Sequence, residues 1–143
     1  MSGLGSHPFG SWRQRSRAEG EQFMWLRDQL PDDFPRFRVM IYGYDTCLTN
    51  SDSHQSLDDL ARTFVQHLKS IGRAEYSAKP CVIFAHSLGG ILVKRALYYM
   101  AGSGDEEDFV LQKIKLAIFF GVPNRGMQVK HCSPWSKGTQ TKL

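Results

Sequence analysis

The sequence predicts an α/β fold, with a mostly parallel sheet flanked by helices. Three observations predict it. Two short apolar runs, at residues 81–85 and 116–120, show no polar alternation, as strands covered on both faces would. A long amphipathic pattern occupies residues 57–71. A largely apolar, helix-like stretch at residues 91–101 lies between the two runs. Strand, helix and strand in that order imply parallel βαβ units with right-handed crossovers.

The elements follow in chain order. Residues 2–12 are rich in Gly and Ser, include Pro8, and read as a loop. Over residues 19–30, Phe23, Leu26 and Leu30 share a helical face, and Pro31 is expected to end that helix. Residues 37–42 alternate, are rich in β-formers and precede Gly43, which predicts a strand. A polar connection over residues 46–56 leads to Ser56, with Asp59 three residues on, an approximate capping box. Leu57, Leu60, Ala61, Phe64, Leu68 and Ile71 then form one apolar face, and Gly72 reads as the stop. Pro80 introduces the strand at 81–85, and the helix after it is expected to end near Gly102. Residues 105–108 read as an acidic connector to the strand at 116–120, which Gly121 and Pro123 close. After Met127 the periodicity disappears. The expected organisation is one folded region over residues 1–127 and a disordered tail over 128–143.

Composition bounds the function. The 143 residues are 41% hydrophobic and 22% charged, ordinary values for a globular chain. The net charge of +4 arises from Arg125, Lys130, Lys137 and Lys142; without residues 124–143 there are 14 basic and 14 acidic residues. With no basic patch and no recognition motif, nucleic acid is not an expected partner. Cys47, Cys81 and Cys132 are odd in number and form no CxxC pair, so neither a metal site nor a cofactor is expected, and Cys81 reads as a buried core thiol. No stretch approaches the length of a membrane span, and residues 1–10 lack an apolar leader, so an intracellular, cytoplasmic setting without a transmembrane segment is the default expectation.

The chemistry concentrates at residues 85–90. A strand that ends in a small residue, then x-Ser-x-Gly, then a helix, is the layout of a nucleophile elbow. The turn is sharp enough that residues flanking the serine must be small, which Ala85, Gly89 and Gly90 satisfy. Ser87 would project from the C-terminal edge of the sheet as the nucleophile, with His86 beside it. The helix start would offer unpaired backbone N–H groups to an oxyanion, that of Leu88 first.

Several further motifs occur in order around this turn: Gly3-Leu4-Gly5, Trp12, Met24-Trp25-Leu26, Ile41-Tyr42-Gly43-Tyr44-Asp45, His86-Ser87-Leu88-Gly89-Gly90 and Gly121-Val122-Pro123-Asn124-Arg125-Gly126-Met127. The set resembles the serine esterase or lipase-like domain of mitochondrial and endoplasmic-reticulum serine-active-site-containing proteins, within the α/β-hydrolase superfamily. It is also similar to hydrolase modules of fungal multidomain proteins and, more distantly, to GPI inositol-deacylases. The resemblance covers residues 2–127. It implies a lipid or acyl-ester substrate, an acyl-Ser87 intermediate, association with mitochondrial or reticulum membranes, and a second oxyanion donor at Leu4.

The resemblance also marks departures. Ser2 stands where a His is expected, and Asn124 where His is common. The strand that should precede residues 2–6, and would lie between those at 37–42 and 81–85, is not in the chain. The expected fold is thus a partial α/β-hydrolase with strands missing at both ends. The family order is serine, acid, histidine. The only acids after Ser87 are Asp105, Glu106, Glu107 and Asp108, which should lie at the opposite edge of the sheet. Among the histidines, His86 should point away from Ser87 and pack near the oxyanion pocket, His67 reads as solvated, His7 lies in the oxyanion loop, and His131 has the right order but no structured support. A complete triad is not expected. Two readings stand: a piece of a serine ester hydrolase, or a non-catalytic interaction module with a hydrolase-like fold.

Overall fold

The computed structural model describes residues 1–3, 7–14, 23–44, 56–73, 79–102 and 105–125. The features expected at Leu4, Asp45, residues 46–55, His131 and residues 128–143 lie outside them. Two strands, β1 (Cys81–His86) and β2 (Ile114–Phe120), pair in parallel, with Ile83 opposite Ala117 and His86 opposite Phe120. Between them run α4 (Leu88–Gly102) and α5 (Asp105–Lys113). The crossover required to make two strands parallel is therefore helical, as the alternation predicts. Residues 105–108, expected as a connector, are the first turn of α5.

Helix α3 (Leu57–Arg73) forms where its apolar spacing requires, and runs through Gly72 to Arg73 rather than stopping there. Ser56 closes its start: the Asp59 N–H donates to Ser56 Oγ at 3.1 Å, and the Ser56 N–H donates to Asp59 Oδ2 at 2.9 Å. Leu60, Ala61, Phe64 and Val65 enter a core shared with Ile83 and Ala85 of β1 and with Leu92, Val93, Ala96 and Met100 of α4. Ile71, at the end of the predicted face, is exposed. At the surface, Arg95 of α4 grips Asp58 of α3 with contacts of 2.7 and 3.1 Å. The guanidinium holds that carboxyl below the usual range.

Several expectations fail for one physical reason, the lack of neighbours among the described residues. Residues 37–44 belong to no strand, and Phe37 and Met40 are 59% and 56% exposed. A strand completes its backbone hydrogen bonds only through a partner, and none runs beside this segment among the described residues. Likewise β2 is not buried on both faces, with Leu116 and Phe120 exposed, and Val82 of β1 is exposed too. Cys81 is half-buried, and burial raises its thiol pKa.

The helix predicted over residues 19–30 is, in its described part, two short helices, α1 (Trp25–Asp28) and α2 (Leu30–Asp33). Pro31 lies in the first turn of α2 and so begins a helix instead of ending one, a position where its missing N–H costs nothing. Met24 is extended and bridges Arg13 in antiparallel fashion. Trp12, Met24 and Leu26 form a second small core, in which Trp12 packs edge-on against Trp25 and Phe120.

Candidate active site at the strand-to-helix turn

Ser87 is the single residue between β1 and α4, and it is the only described non-glycine residue with positive φ, at 52°. For an L-residue that conformation costs roughly 1–2 kcal/mol, so the surroundings must hold it. They do so from two sides: the Ser87 N–H donates to Phe120 O at the end of β2 (2.9 Å), and Ser87 O accepts from the Gly90 N–H (3.0 Å). The turn is thereby fastened to both strand ends and to the first turn of α4. Leu88 opens α4, where backbone N–H groups lack intrahelical acceptors.

Small residues at the turn make room for neighbouring chain. Ala85 is fully buried. A methyl group on Gly89 would sit 2.3 Å from Ser2 O, and one on Gly90 would sit 2.1 Å from a Val122 methyl. Both glycines are therefore demanded by packing across the fold as well as by the turn itself. Gly121, at φ 54°, turns the chain beyond β2 and brings Val122 over α4. Beyond it, Lys94 of α4 donates to Asn124 Oδ1.

The first three residues form the other wall. The Met1 amino group donates to Phe84 O at 2.8 Å, and the His86 N–H donates to Met1 O at 3.1 Å. This is the bond pattern of a parallel bridge, placing Met1 opposite Ala85 on the edge of β1 away from β2. Burial lowers the amine pKa to about 6. Ser2 is fully buried, and its carbonyl accepts from Tyr44 Oη at 2.9 Å. Burial of that phenol raises its pKa strongly. A methyl on Gly3 would come within 2.7 Å of Ser87 Cβ and 3.2 Å of both Ser87 Oγ and His86 Nδ1. Gly3 thus lies directly against the serine side chain.

The His86 ring lies beside this spot as well: its ring nitrogen Nδ1 and Ser87 Oγ both abut Gly3. His86 Nδ1 is buried and has no hydrogen-bond partner. The other described histidines are elsewhere. His7 Nδ1 accepts from the Phe9 N–H, and His67, exposed to solvent as expected, has its Nδ1 3.1 Å from Tyr42 Oη. Helix α5, which carries Asp105, Glu106, Glu107 and Asp108, leads into the start of β2, whereas Ser87 is bonded to its end. No serine–histidine–acid triad assembles among the described residues, and no three His, Cys, Asp or Glu side chains there gather as metal ligands would. No described helix is long and apolar enough to cross a membrane.

Three contributors to the site escaped the reading of the sequence: Met1 as a strand bridge, Tyr44 as donor to Ser2 O, and Val122 over Gly90. Tyr44 and Val122 stand inside motifs that carry the family resemblance, which was the available signal. Met1 offered none, since a one-residue bridge has no pattern.

Comparison with known proteins gives a consistent direction. The chain is 30% identical to Protein SERAC1 of Danio rerio over 88% of its own length. It is 27% identical to Protein SERAC1 of Homo sapiens and 26% identical to that of Mus musculus, over 93% of its length in each case. It spans about one fifth of those proteins, 21% of the first and 22% of the others. No protein-family profile matches the chain. No solved structure matches it either. The chain is therefore similar, over most of its own length, to a short region of Protein SERAC1.

Proposed function

We propose that residues 1–127 are part of an α/β-hydrolase-type domain whose chemistry is hydrolysis of lipid or acyl esters through Ser87. The observation that carries this reading is Ser87 at φ 52° between a parallel strand and a buried helix. A residue serving only as a connection would gain nothing from that conformation, whereas a nucleophile needs it to stand clear of the sheet. In the proposed reaction Ser87 Oγ attacks the acyl carbonyl, and the oxyanion is met by the backbone N–H groups of Leu88 and Leu4. Ala85, Gly89 and Gly90 keep the turn tight, and His86 borders the pocket. No cofactor enters this scheme. Association with mitochondrial or reticulum membranes is part of the proposal through the family resemblance alone.

The test is labelling of the 143-residue chain with a fluorophosphonate probe. Labelling that Ser87→Ala abolishes, with an unchanged circular dichroism spectrum, is the expected outcome. A folded chain that takes up no probe would favour the second reading, a non-catalytic interaction module. That reading draws on the position of the acids after Ser87, on the helix that leads to the far end of β2.

A further inference from the structure

The carbonyl of Ser2 is held by residues far from it in the chain. Tyr44 Oη donates to Ser2 O at 2.9 Å, from 42 positions away. The same oxygen rests on the first turn of α4, so close that a methyl on Gly89 would sit 2.3 Å from it. Ser2 is fully buried, and the core against which Tyr44 packs includes Met1, Phe64 and Ala85. Burial raises the pKa of the Tyr44 phenol, so its hydroxyl keeps its proton and remains a donor at neutral pH.

This hydroxyl acts beyond its own bond. A peptide unit is planar and trans, so its carbonyl oxygen and the following N–H point in opposite directions. Fixing Ser2 O therefore fixes the direction of the Gly3 N–H and the place of Gly3 Cα, which lies against the Ser87 side chain. Gly3 cannot keep that place unaided. The close approach to Ser87 excludes a side chain there, and a glycine backbone is the most conformationally free of all.

We infer that Tyr44 is a positioning residue for the serine: through Ser2 O it holds the Ser2–Gly3 peptide against Ser87, and with it the chain that leads to Leu4, the proposed second oxyanion donor. This rests on the reading of Ser87 as nucleophile. Without the hydroxyl the peptide is free to turn away from the serine, while the turn at Ser87, fastened to Phe120 O and the Gly90 N–H, stays in place.

The experiment measures how fluorophosphonate labelling of the full 143-residue chain depends on probe concentration, which separates probe affinity (KI) from the maximal labelling rate (kinact). The variants are Tyr44→Phe, Tyr42→Phe and the Ser87→Ala control, each with circular dichroism and urea unfolding. Tyr42 is the matched comparison, because its hydroxyl lies 3.1 Å from His67 Nδ1 and so reaches α3 rather than the chain beside Ser87. Misplacing a group at a reacting centre by about 1 Å costs up to ~100-fold in rate. Tyr44→Phe should accordingly lower kinact by at least about tenfold, with KI changed by less than about threefold, and Tyr42→Phe should keep kinact within about threefold of the parent. A merely structural role would lower the urea midpoint and leave kinact of the folded chain unchanged. Should Tyr44→Phe prove unstable, 4-fluorophenylalanine at position 44 fills the space of the hydroxyl without a donor and takes its place. If kinact falls by less than about tenfold when Tyr44 loses its donor, or if Tyr42→Phe lowers it equally, the Tyr44 inference falls while the Ser87 reading stands. If the folded parent chain takes up no probe, both fall.

Discussion

Helix α3 and the segment at residues 37–44 both present closely spaced apolar side chains, yet only the helix buries them. Leu60, Ala61, Phe64 and Val65 lie in the core, while Phe37, Val39, Met40 and Ile41 face solvent. The difference lies in how each backbone is satisfied. A helix closes its own hydrogen bonds and needs only one face covered. A strand depends on a neighbour for bonds as well as for packing, and residues 37–44 have none among the described residues. They are held at one end instead, where Tyr42 packs edge-on against Phe64 and Tyr44 bonds to Ser2 O.

Substitutions can break or sharpen this contrast. Phe64→Ala should have the largest effect, a loss of about 3–5 kcal/mol in urea unfolding, as for a buried aromatic whose space cannot be refilled. A loss below about 1 kcal/mol would mean the α3 face is less tightly packed than the structure has it. The Met1 bridge comes next. In a chain with a free amine, a folded pKa of about 6 against an ordinary 8 means that the unfolded state holds more protons between those values. Stability should therefore rise with pH from 6 to 8, by about 1–2 kcal/mol once partial solvent exposure is discounted. N-terminal acetylation should flatten that slope. Ser56→Ala should cost about 1 kcal/mol by removing the cap of α3. Smallest of all, Met40→Ser and Val39→Pro should each shift stability by less than about 0.5 kcal/mol. A proline that costs about 3 kcal/mol at Val39 would show that the segment is paired in a ladder after all.

The same contrast explains what the sequence could and could not disclose. Helix α3, its Ser56 cap, β1, β2 and the turn at Ser87 are encoded in local patterns, and they appear within a few residues of the expected positions. The strand at 37–42 failed although its local pattern was sound, because pairing is decided by chain elsewhere. The continuous runs in β1 and β2 promised cover on both faces, but periodicity cannot count neighbours. At the site, Ser87 and the small residues around it were legible from the strand-turn-helix layout. The approach of Ser2 and Gly3 was legible only through the family resemblance, which sets an oxyanion loop there, and the Met1 bridge was not legible at all, because it joins parts of the chain with no local signature in common.

The bond between the Met1 amine and Phe84 O joins residues 83 positions apart. Closing a flexible loop of that length carries an entropic cost of roughly 4 kcal/mol beyond a constant, far more than the local turn between β1 and α4 requires. The order of assembly follows. The turn at Ser87 should form early, as part of the β1–α4–α5–β2 unit, and the wall supplied by Met1, Ser2 and Gly3 should form last and open first. The amide of His86, whose acceptor is Met1 O, should then exchange with solvent faster than that of Ser87, whose acceptor is Phe120 O within the unit. On this account, loosening of the amino-terminal residues should uncover the serine and leave the rest of the fold in place.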